Sequence, residues 1–450
     1  HHLFFADVML RDEGMAELLP ACNTVIFDEA HQLPETAQLF FGQGFSTAQI
    51  IDLVRDARNE GLSGARDCLD LQEHCRGVDK SARDLRLVVG QDAARYNLAT
   101  LLGFDNFDDA LDKLESALQV LTAVLETQAA RSEGLERCWQ RSGELLMAVS
   151  HWRKGSEPGW VRWGEAHTHA LSLQATPLNI ADIFKRQMEG NPRAWIFTSA
   201  TLAVLGDFTH YRAELGLDEA ETGFWESPFN YPEQALLYAP SGLPDPNAPE
   251  FTDRVVDAAW PVIKAAGGRA FFLCTSLRAM RRVHAELEDK LNAEGLDFPL
   301  LLQGEGSKTE LLDRFRKLGN AILVGSQSFW EGVDVRGDAL SLVIIDKLPF
   351  APPDDPVLSA RIDEMKRQGK NAFMEYQLPR AVISVKQGAG RLIRDESDRG
   401  VLMICDPRLI SKPYGKRVWR SLPPMRRTRK LNDVIAFFAG TLAPAETSAE

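Results

Sequence analysis

Six short apolar runs along the chain share one pattern. Each is four or five residues long, almost continuously apolar, and followed by a small or acidic polar residue. They are TVIF before Asp28, AWIF before Thr198, AFFLC before Thr275, AILVG before Ser326, SLVII before Asp346 and VLMIC before Asp406. Continuous apolarity predicts parallel strands that are buried on both faces. Because functional residues collect beyond the carboxyl ends of such strands, we expect a site at these polar residues.

The segment from about residue 46 to 165 has helical rather than strand periodicity. Leucines recur there at alternating spacings of three and four residues, at Leu111, Leu114, Leu118, Leu121 and Leu125. This narrow apolar face predicts packed antiparallel helices, and we expect an all-helical domain. A strand-like pattern resumes at residues 169–178, so the helical block interrupts an α/β domain.

These patterns predict an α/β protein built in several parts. A chain of 450 residues exceeds the size of a single hydrophobic core. Proline and glycine cluster in residues 226–250, which indicates the entry to a second α/β lobe. We therefore expect a first lobe in residues 1–45 and 166–208, the helical insertion in residues 46–165, and the second lobe in residues 209–450.

Charge is distributed unevenly along the chain. The net charge of −13 argues against a protein that coats nucleic acid. Residues 408–430 depart from this average, since they hold nine Lys and Arg residues and no Asp or Glu. Such a segment is either a solvated basic surface or a contact for a phosphate backbone, and the sequence leaves both interpretations open.

Cysteine spacing and hydropathy exclude other classes. The six cysteines are scattered without a CxxC pair, which favours incidental or buried thiols over a disulfide framework or a zinc site. No run of about 18 apolar residues and no signal peptide is visible, so we expect a soluble cytoplasmic protein without membrane contact. The first residue is His1 rather than Met, and we expect a processed chain or a fragment.

Two adjacent acids, Asp28 and Glu29, follow the first apolar run. Neighbouring carboxylates are costly to bury unless a cation or a proton transfer stabilises them. In P-loop NTPases, an Asp after a strand orients Mg²⁺ through its water shell, and the following Glu polarises the attacking water. The pair therefore indicates magnesium-dependent hydrolysis, although acids also leave buried strands merely to reach solvent.

The segment VKQGAGRLIRDE, residues 385–396, carries a second group of polar residues. On a helix, Gln387, Arg391 and Arg394 would share one face. Two guanidinium groups and a carboxamide suit a transferring phosphoryl group, and glycines such as Gly390 allow close approach of the backbone. The alternative is a charged helix face that pairs with the acids at its end.

Three further strand ends carry hydroxyl groups. They are TSATL at residues 198–202, CTS at 274–276, and SQSFWEGVDVRG at 326–337. Hydroxyls and backbone amides there suit the phosphates of a single strand, while Phe329 and Trp330 either stack on bases or pack. Glu331 and Asp334 flank Gly332 at a position that suits a further polar segment whose conformation switches.

DEAH, SATL, SFWEGVD and QGAGRLIR, in this order, resemble motifs II, III, V and VI of superfamily 2 helicases. The insertion between the first two resembles the arch domain of the XPD-like group. The phrases HHLFFAD, IFDEAHQLP and IIDKLPF are similar to the bacterial DinG-like branch, with its YoaA-type members. The resemblance extends over nearly the whole chain. It implies two RecA-like lobes and an ATP-driven enzyme that moves along single-stranded DNA and unwinds DNA 5′→3′ in repair or damage tolerance, with single-stranded and forked DNA as partners.

The resemblance also implies roles for individual residues. Asp28 and Glu29 would serve Mg²⁺ and water, while His31 and Gln387 would couple to ATP. Ser199, Thr201, Glu331, Gly332, Asp334 and Gly390 would belong to the nucleotide-coupling segments. Arg391 and Arg394 would meet the γ-phosphate. The DNA-binding set would be Thr275, Ser276, Ser326, Phe329 and Trp330.

One part of the family pattern is missing from these residues. No GxxxxGK[ST] sequence occurs, and GEGSKTE at residues 304–310 lacks the required glycine spacing. In the family, that loop and four cysteines for a 4Fe-4S cluster lie upstream of DEAH. We therefore expect that these 450 residues alone do not hydrolyse ATP appreciably. A non-catalytic single-strand-binding or adaptor protein, and an NTPase acting on RNA or RNA–DNA hybrids, remain alternatives.

Overall fold

A computed structural model describes the chain except residues 13–17, 91–92, 156–158, 190–192, 327–328, 330–334, 336 and 443–450. The strands are β1 (Thr24–Phe27), β2 (Gln43–Ser46), β3 (Ala94–Asn97), β4 (Trp160–Ala166), β5 (Leu171–Pro177), β6 (Ala194–Phe197), β7 (Ala235–Tyr238), β8 (Ala270–Leu273), β9 (Leu300–Leu302), β10 (Ile322–Gly325), β11 (Leu342–Ile345), β12 (Gly400–Ile404) and β13 (Arg426–Thr428).

Most helices follow or precede these strands. They are α1 (His2–Asp12), α2 (Leu33–Phe41), α3 (Thr47–Gly64), α4 (Leu69–Val88), α5 (Leu98–Leu102), α6 (Phe107–Gln128), α7 (Glu133–Lys154), α8 (Ala181–Glu189), α9 (Thr209–Leu215), α10 (Tyr231–Gln234), α11 (Phe251–Ala266), α12 (Leu277–Glu294), α13 (Lys308–Leu318), α14 (Pro356–Arg367), α15 (Leu378–Ala389), α16 (Arg408–Ser411), α17 (Gly415–Arg420) and α18 (Leu431–Phe438). A π-helical turn, Phe373–Gln377, precedes α15.

The chain forms two compact units. Unit 1 comprises His1–Ser199, Tyr211–Glu219 and Ala351–Ala372, and unit 2 comprises Ala200–His210, Ala220–Phe350 and Phe373–Glu450. The chain therefore passes from unit 1 to unit 2 within the TSATL segment. No helix of the described residues is both long and apolar enough to cross a membrane.

Unit 2 contains a seven-stranded parallel sheet in the order β13-β7-β12-β11-β8-β10-β9. All residues of β7, β8, β10, β11 and β12 are buried. The predicted α/β class is confirmed here, and so is the two-faced burial of the four predicted strands β8, β10, β11 and β12. Because the strands are parallel and in register, Leu273, Ile345 and Ile404 end side by side at one edge of the sheet.

The remaining two predicted strands, β1 and β6, form a parallel pair in unit 1. Their burial differs from the prediction, since Ile26 is 64% exposed and Ile196 is 42% exposed. The opposite face carries Phe27, which packs on Phe4 and Phe197 with ring centroids 5.0 and 5.5 Å apart.

The insertion in unit 1 contains the predicted helices and also a sheet. Leu111 to Leu125 of the leucine pattern lie on α6, each at most 1% exposed, in a core with α3, α4 and α7. The expectation of an all-helical domain is wrong, because β2, β5, β4 and β3 form an antiparallel sheet. Residues 171–177 join this sheet as β5 rather than resuming the parallel one. Their alternating burial allows one face to pack on helices while the other is more exposed.

Candidate functional site

Asp28 and Glu29 lie directly beyond the carboxyl end of β1. Glu29 has left-handed backbone angles, φ 48° and ψ 43°, and its N–H donates to Asp28 Oδ1 at 3.0 Å. The Thr198 hydroxyl donates to the same Asp28 oxygen at 3.1 Å. Positive φ is uncommon for residues other than glycine, and such strain is concentrated at functional sites. Both acids are exposed, so their carboxylates remain accessible to a cation and to water.

Glu29, His31 and Ser199 form a hydrogen-bonded network in unit 1. The Ser199 hydroxyl donates to Glu29 Oε2 at 3.0 Å, and His31 Nδ1 lies 2.9 Å from Ser199 Oγ. The Ser199 hydroxyl has one proton, which it donates to Glu29. In its hydrogen bond with His31, Ser199 Oγ is therefore the acceptor, and the imidazole tautomer carries its N–H at Nδ1. His31 Nδ1 is also 3.3 Å from Glu29 Oε2. Three residues predicted from two separate motifs are thus brought together.

Backbone hydrogen bonds hold the two strand ends of this network in register. The Ala30 N–H donates to the Thr198 carbonyl at 2.9 Å, and the Thr198 N–H donates to the Phe27 carbonyl at 2.8 Å. The buried hydroxyl of Tyr211 donates to the Ala30 carbonyl at 2.8 Å. A displacement at Glu29 would therefore be transmitted to the TSATL segment, at which the chain leaves unit 1.

The donor set at the end of β1 fits Mg²⁺ that keeps much of its water. Mg²⁺ is usually bound through one or two carboxylates together with water and substrate phosphates, rather than by a cage of protein ligands. Asp28 and Glu29 supply two exposed carboxylates. Within the described part of the chain, no cluster of three or more His, Cys, Asp or Glu residues could hold a metal ion.

The strand ends of unit 2 are joined by two buried aspartates. Asp346 accepts the N–H of Thr275 at 3.1 Å, its hydroxyl at 3.2 Å, and the N–H of Lys347 at 2.6 Å. Burial raises the pKa of Asp346 to about 6, while these hydrogen bonds oppose the rise. Asp406 accepts the Leu348 N–H at 2.8 Å. The polar residues expected at this edge therefore do meet, and the Thr275 hydroxyl is engaged within the protein.

The other residues predicted to contact DNA have varied surroundings. Ser276 Oγ accepts the Ala279 N–H at 3.1 Å as the N-cap of α12, and Ser326 Oγ donates to Gln303 Oε1 at 2.9 Å. Phe329 is 3% exposed and belongs to the unit 2 core, so its ring packs and cannot stack on a base. Trp330, Glu331, Gly332 and Asp334 lie outside the described residues.

The expected helical face of Gln387, Arg391 and Arg394 is wrong. Helix α15 ends at Ala389, and the Arg391 N–H turns back to the Gly388 carbonyl at 3.2 Å. Glycine is a poor helix former, and two glycines so close together favour this ending. Gln387 is on the helix and buried, whereas both arginines follow its end and are half-buried. A Cβ added at Gly390 would lie 3.3 Å from the Lys386 carbonyl oxygen, which is a tight contact.

Asp398 organises the turn that carries Arg394, and sequence reasoning missed it. Its carboxylate accepts the backbone N–H groups of Arg394 at 2.7 Å, Asp395 at 2.8 Å and Gly337 at 3.0 Å. Asp398 is 6% exposed. An aspartate that accepts nearby backbone N–H groups is typical of turns, so the sequence RDESD contained a usable signal.

Lys386 is a second residue of this region that was not predicted from the sequence. Its ammonium group donates to the Ala203 carbonyl at 3.0 Å, and burial lowers the pKa of Lys386. The bond ties α15 to the segment that follows Thr201 within unit 2. Thr201 itself is 5% exposed.

We predict that Asp398→Ala lowers both stability and turnover. The change removes the acceptor of three backbone N–H groups, and each unsatisfied buried group costs about 1–3 kcal/mol. We expect a lower Tm of unit 2 and, in the full-length protein, an ATP turnover reduced at least about tenfold. Asp395→Ala is the matched control, because Asp395 is exposed and bonds only Ser397 by its side chain. Equal effects of the two changes would contradict the role of Asp398.

Comparisons with known proteins agree with these features. Residues 259–425 match the model of the helicase C-terminal domain. The chain is 43% identical over 439 residues to the ATP-dependent DNA helicase YoaA of Escherichia coli, covering 98% of this chain and 68% of that protein. It is 42% identical to YoaA of Haemophilus influenzae, covering 97% of this chain and 68% of the relative. It is 35% identical to the ATP-dependent helicase DinG of Mycobacterium tuberculosis, covering 62% of this chain and 42% of that protein.

Solved structures show the same fold. Xpd4 of S. tokodaii superposes with a TM-score of 0.61 at 15% identity, covering 95% of this chain and 81% of that one. A structure titled XPD_APO gives a TM-score of 0.58 at 16% identity, covering 95% of this chain and 80% of that one. These structures share the RecA-like helicase fold with this chain. Together with the sequence identities, they establish that the chain belongs to the DinG/YoaA-like branch of the XPD-family helicases.

Proposed function

We propose that this chain is part of an ATP-dependent DNA helicase that moves 5′→3′ along single-stranded DNA and opens forked DNA during repair. The network of Glu29, Ser199 and His31 carries the proposal, because it joins the acids that hydrolysis needs to the TSATL segment. Two relatives that are 43% and 42% identical to this chain over the aligned residues are named ATP-dependent DNA helicases.

In the proposed reaction, Glu29 accepts a proton from the water that attacks the γ-phosphate. Bound Mg²⁺ would neutralise phosphate charge, and Asp28 would hold it through water. Ser199 and His31 keep the Glu29 carboxylate oriented while leaving it exposed. The Ser199 hydroxyl bonds Glu29 directly, and Ser199 lies at the start of the segment that leads into unit 2. A change of charge beside Glu29 would therefore alter this hydrogen bond.

Residues of unit 2 would supply the remaining groups. Arg391 and Arg394 would neutralise charge on the transferring phosphoryl group, with Gln387 as its sensor. Nucleic acid would pass along the strand ends at Ser276 and Ser326. Because the Thr275 N–H and hydroxyl both donate to Asp346, Thr275 would act by holding this loop in place.

The proposed domain roles follow the family pattern. Residues 46–165, together with the β4–β5 part of the antiparallel sheet, would serve as the arch. A phosphate cradle and a 4Fe-4S cluster are needed by the proposal, and neither a GxxxxGK[ST] sequence nor a four-cysteine cluster occurs in these 450 residues. The activity is therefore tested with the product of the full-length gene.

The test compares single-stranded DNA and single-stranded RNA as activators of ATP turnover by that product. We expect DNA to stimulate turnover at least about tenfold more than RNA, and forks with a 5′ tail to be unwound in preference to forks with a 3′ tail. Stronger stimulation by RNA would assign the protein to RNA or hybrids, which alone offer a 2′-OH. DNA binding that is indifferent to ATP, without turnover, would indicate a non-catalytic binding protein.

A further inference from the structure

Residues 408–430, which we call the basic segment, form one end of the unit 2 sheet. The segment contains α16, α17 and β13, and among the described strands β13 pairs with β7 alone, at the edge of the sheet. It holds nine Lys and Arg residues and no acid, in a chain whose net charge is −13. The motif residues of the proposed ATP site do not include any of these positions.

Most cations of this segment have no acidic partner. Arg408 is paired with Asp406 at 2.6 Å, and Arg417 interacts electrostatically with Asp207. Six exposed cations form no ion pair within the part of the chain that the structure describes: Lys412, Lys416, Arg420, Arg427, Arg429 and Lys430. In the insertion, by contrast, arginines such as Arg83 and Arg153 pair with acids at 2.8 and 2.7 Å. The six cations therefore retain charge for an external anion.

Two of the six cations are held on one aromatic ring. The guanidinium carbon of Arg427 lies 3.9 Å from the centroid of the Trp419 ring, and that of Arg420 lies 5.6 Å from it. Partial burial and the charge of Arg420 lower the pKa of Arg427. These ring contacts restrict both planar groups, and a planar guanidinium with restricted motion is well suited to bidentate binding of phosphate oxygens.

We propose that the basic segment is a second nucleic-acid-binding surface, which contacts the phosphate backbone without requiring ATP. Six exposed cations without an ion pair in the described residues, two of them against the Trp419 ring, suit the closely spaced phosphates of a nucleic-acid strand, and salt-sensitive binding follows from this. An acidic protein would supply a less regular set of charges, so nucleic acid is the favoured ligand. The inference rests on the proposed function only in naming nucleic acid as the partner, and it makes no use of the hydrolytic residues.

The experiment measures binding of a fluorescent 30-nucleotide oligo(dT) to the 450-residue chain without nucleotide, over a range of salt concentrations. The variant is Arg420→Gln with Arg427→Gln. The control is Arg314→Gln with Lys317→Gln on α13, which removes the same charge from two exposed residues outside the basic segment. Equal Tm values of the two variants establish that both are folded.

We expect the Arg420/Arg427 variant to bind about tenfold more weakly. Its slope of log K against log[salt] should be shallower by about 1.4, since each single-strand phosphate contributes about 0.7. The control should bind nearly as the parent chain does. Equal affinities and slopes for the two variants would overturn the inference. A variant that keeps its DNA affinity but loses binding to polyglutamate would instead assign the surface to an acidic protein. Loss of ATP turnover is measured separately and bears only on the proposed function.

Discussion

Glu29→Gln in the full-length protein is expected to abolish ATP turnover while nucleotide binding is retained. Glutamine has nearly the same size and can still accept the hydrogen bond from Ser199, which is 3.0 Å long. It cannot take a proton from water, and general-base catalysis contributes about 10²–10⁴-fold to the rate. We therefore expect kcat to fall by at least about a hundredfold. The Kd for ATP, measured by equilibrium binding, should change less than about threefold.

Glu73→Gln is the matched control, because Glu73 is exposed on α4 and outside the network. It should leave kcat unchanged. Ser199→Ala removes the hydroxyl that orients Glu29 and keeps the carboxylate, so its turnover should lie between those of Glu29→Gln and the parent. A Glu29→Gln protein with kcat within a few-fold of the parent value would show that Glu29 is not the base.

Arg394→Lys in the full-length protein is expected to lower kcat by about a thousandfold. Lysine keeps the positive charge but loses the planar fork that binds phosphate oxygens in pairs, and arginines in this role contribute about 10³–10⁵ to the rate. The backbone N–H of Arg394 would still be held by Asp398 at 2.7 Å, so the turn should persist. Steady-state ATP turnover and the Tm are the two measurements.

Arg399→Lys provides the comparison within the same loop. Arg399 is exposed, and its guanidinium carbon lies 4.4 Å from the Phe437 ring centroid, away from the motif residues. The Arg399→Lys change should lower ATP turnover only slightly. If both changes lower kcat to the same extent, the loss of turnover follows from a lysine anywhere in this loop. Such a result would contradict the phosphate-binding role of Arg394.

The strand predictions succeeded because their signal is local. All six apolar runs are strands with parallel partners, and the four in unit 2 are buried on both faces as predicted. The polar residues after them also meet as expected, through Asp346 and Thr275 in unit 2 and through Glu29 and Ser199 in unit 1. Parallel strands bring their carboxyl ends to one edge whatever the loops do.

Two of the predictions that failed depended on contacts between distant parts of the chain. The antiparallel sheet of the insertion joins Gln43–Ser46 to Leu171–Pro177, and no local pattern reports a pairing over such a separation. The helical face of Arg391 and Arg394 failed for a local reason, since α15 ends at Ala389 and Asp398 holds the following turn. Phe329 looked suited to stacking, yet it fills space in the unit 2 core.

The residues alone predicted the α/β class, the six strands that end in polar residues, the leucine-rich helix and the family to which the order of the motifs belongs. These features depend on residue type and short spacing, which are present in the chain before it folds. The bond from Ser199 to Glu29 and the contact of Arg427 with the Trp419 ring are visible only in the folded chain. Each of these contacts joins residues whose distance and orientation are set by the packing of whole strands and helices, because hydrogen bonds and ring contacts act over only a few ångströms.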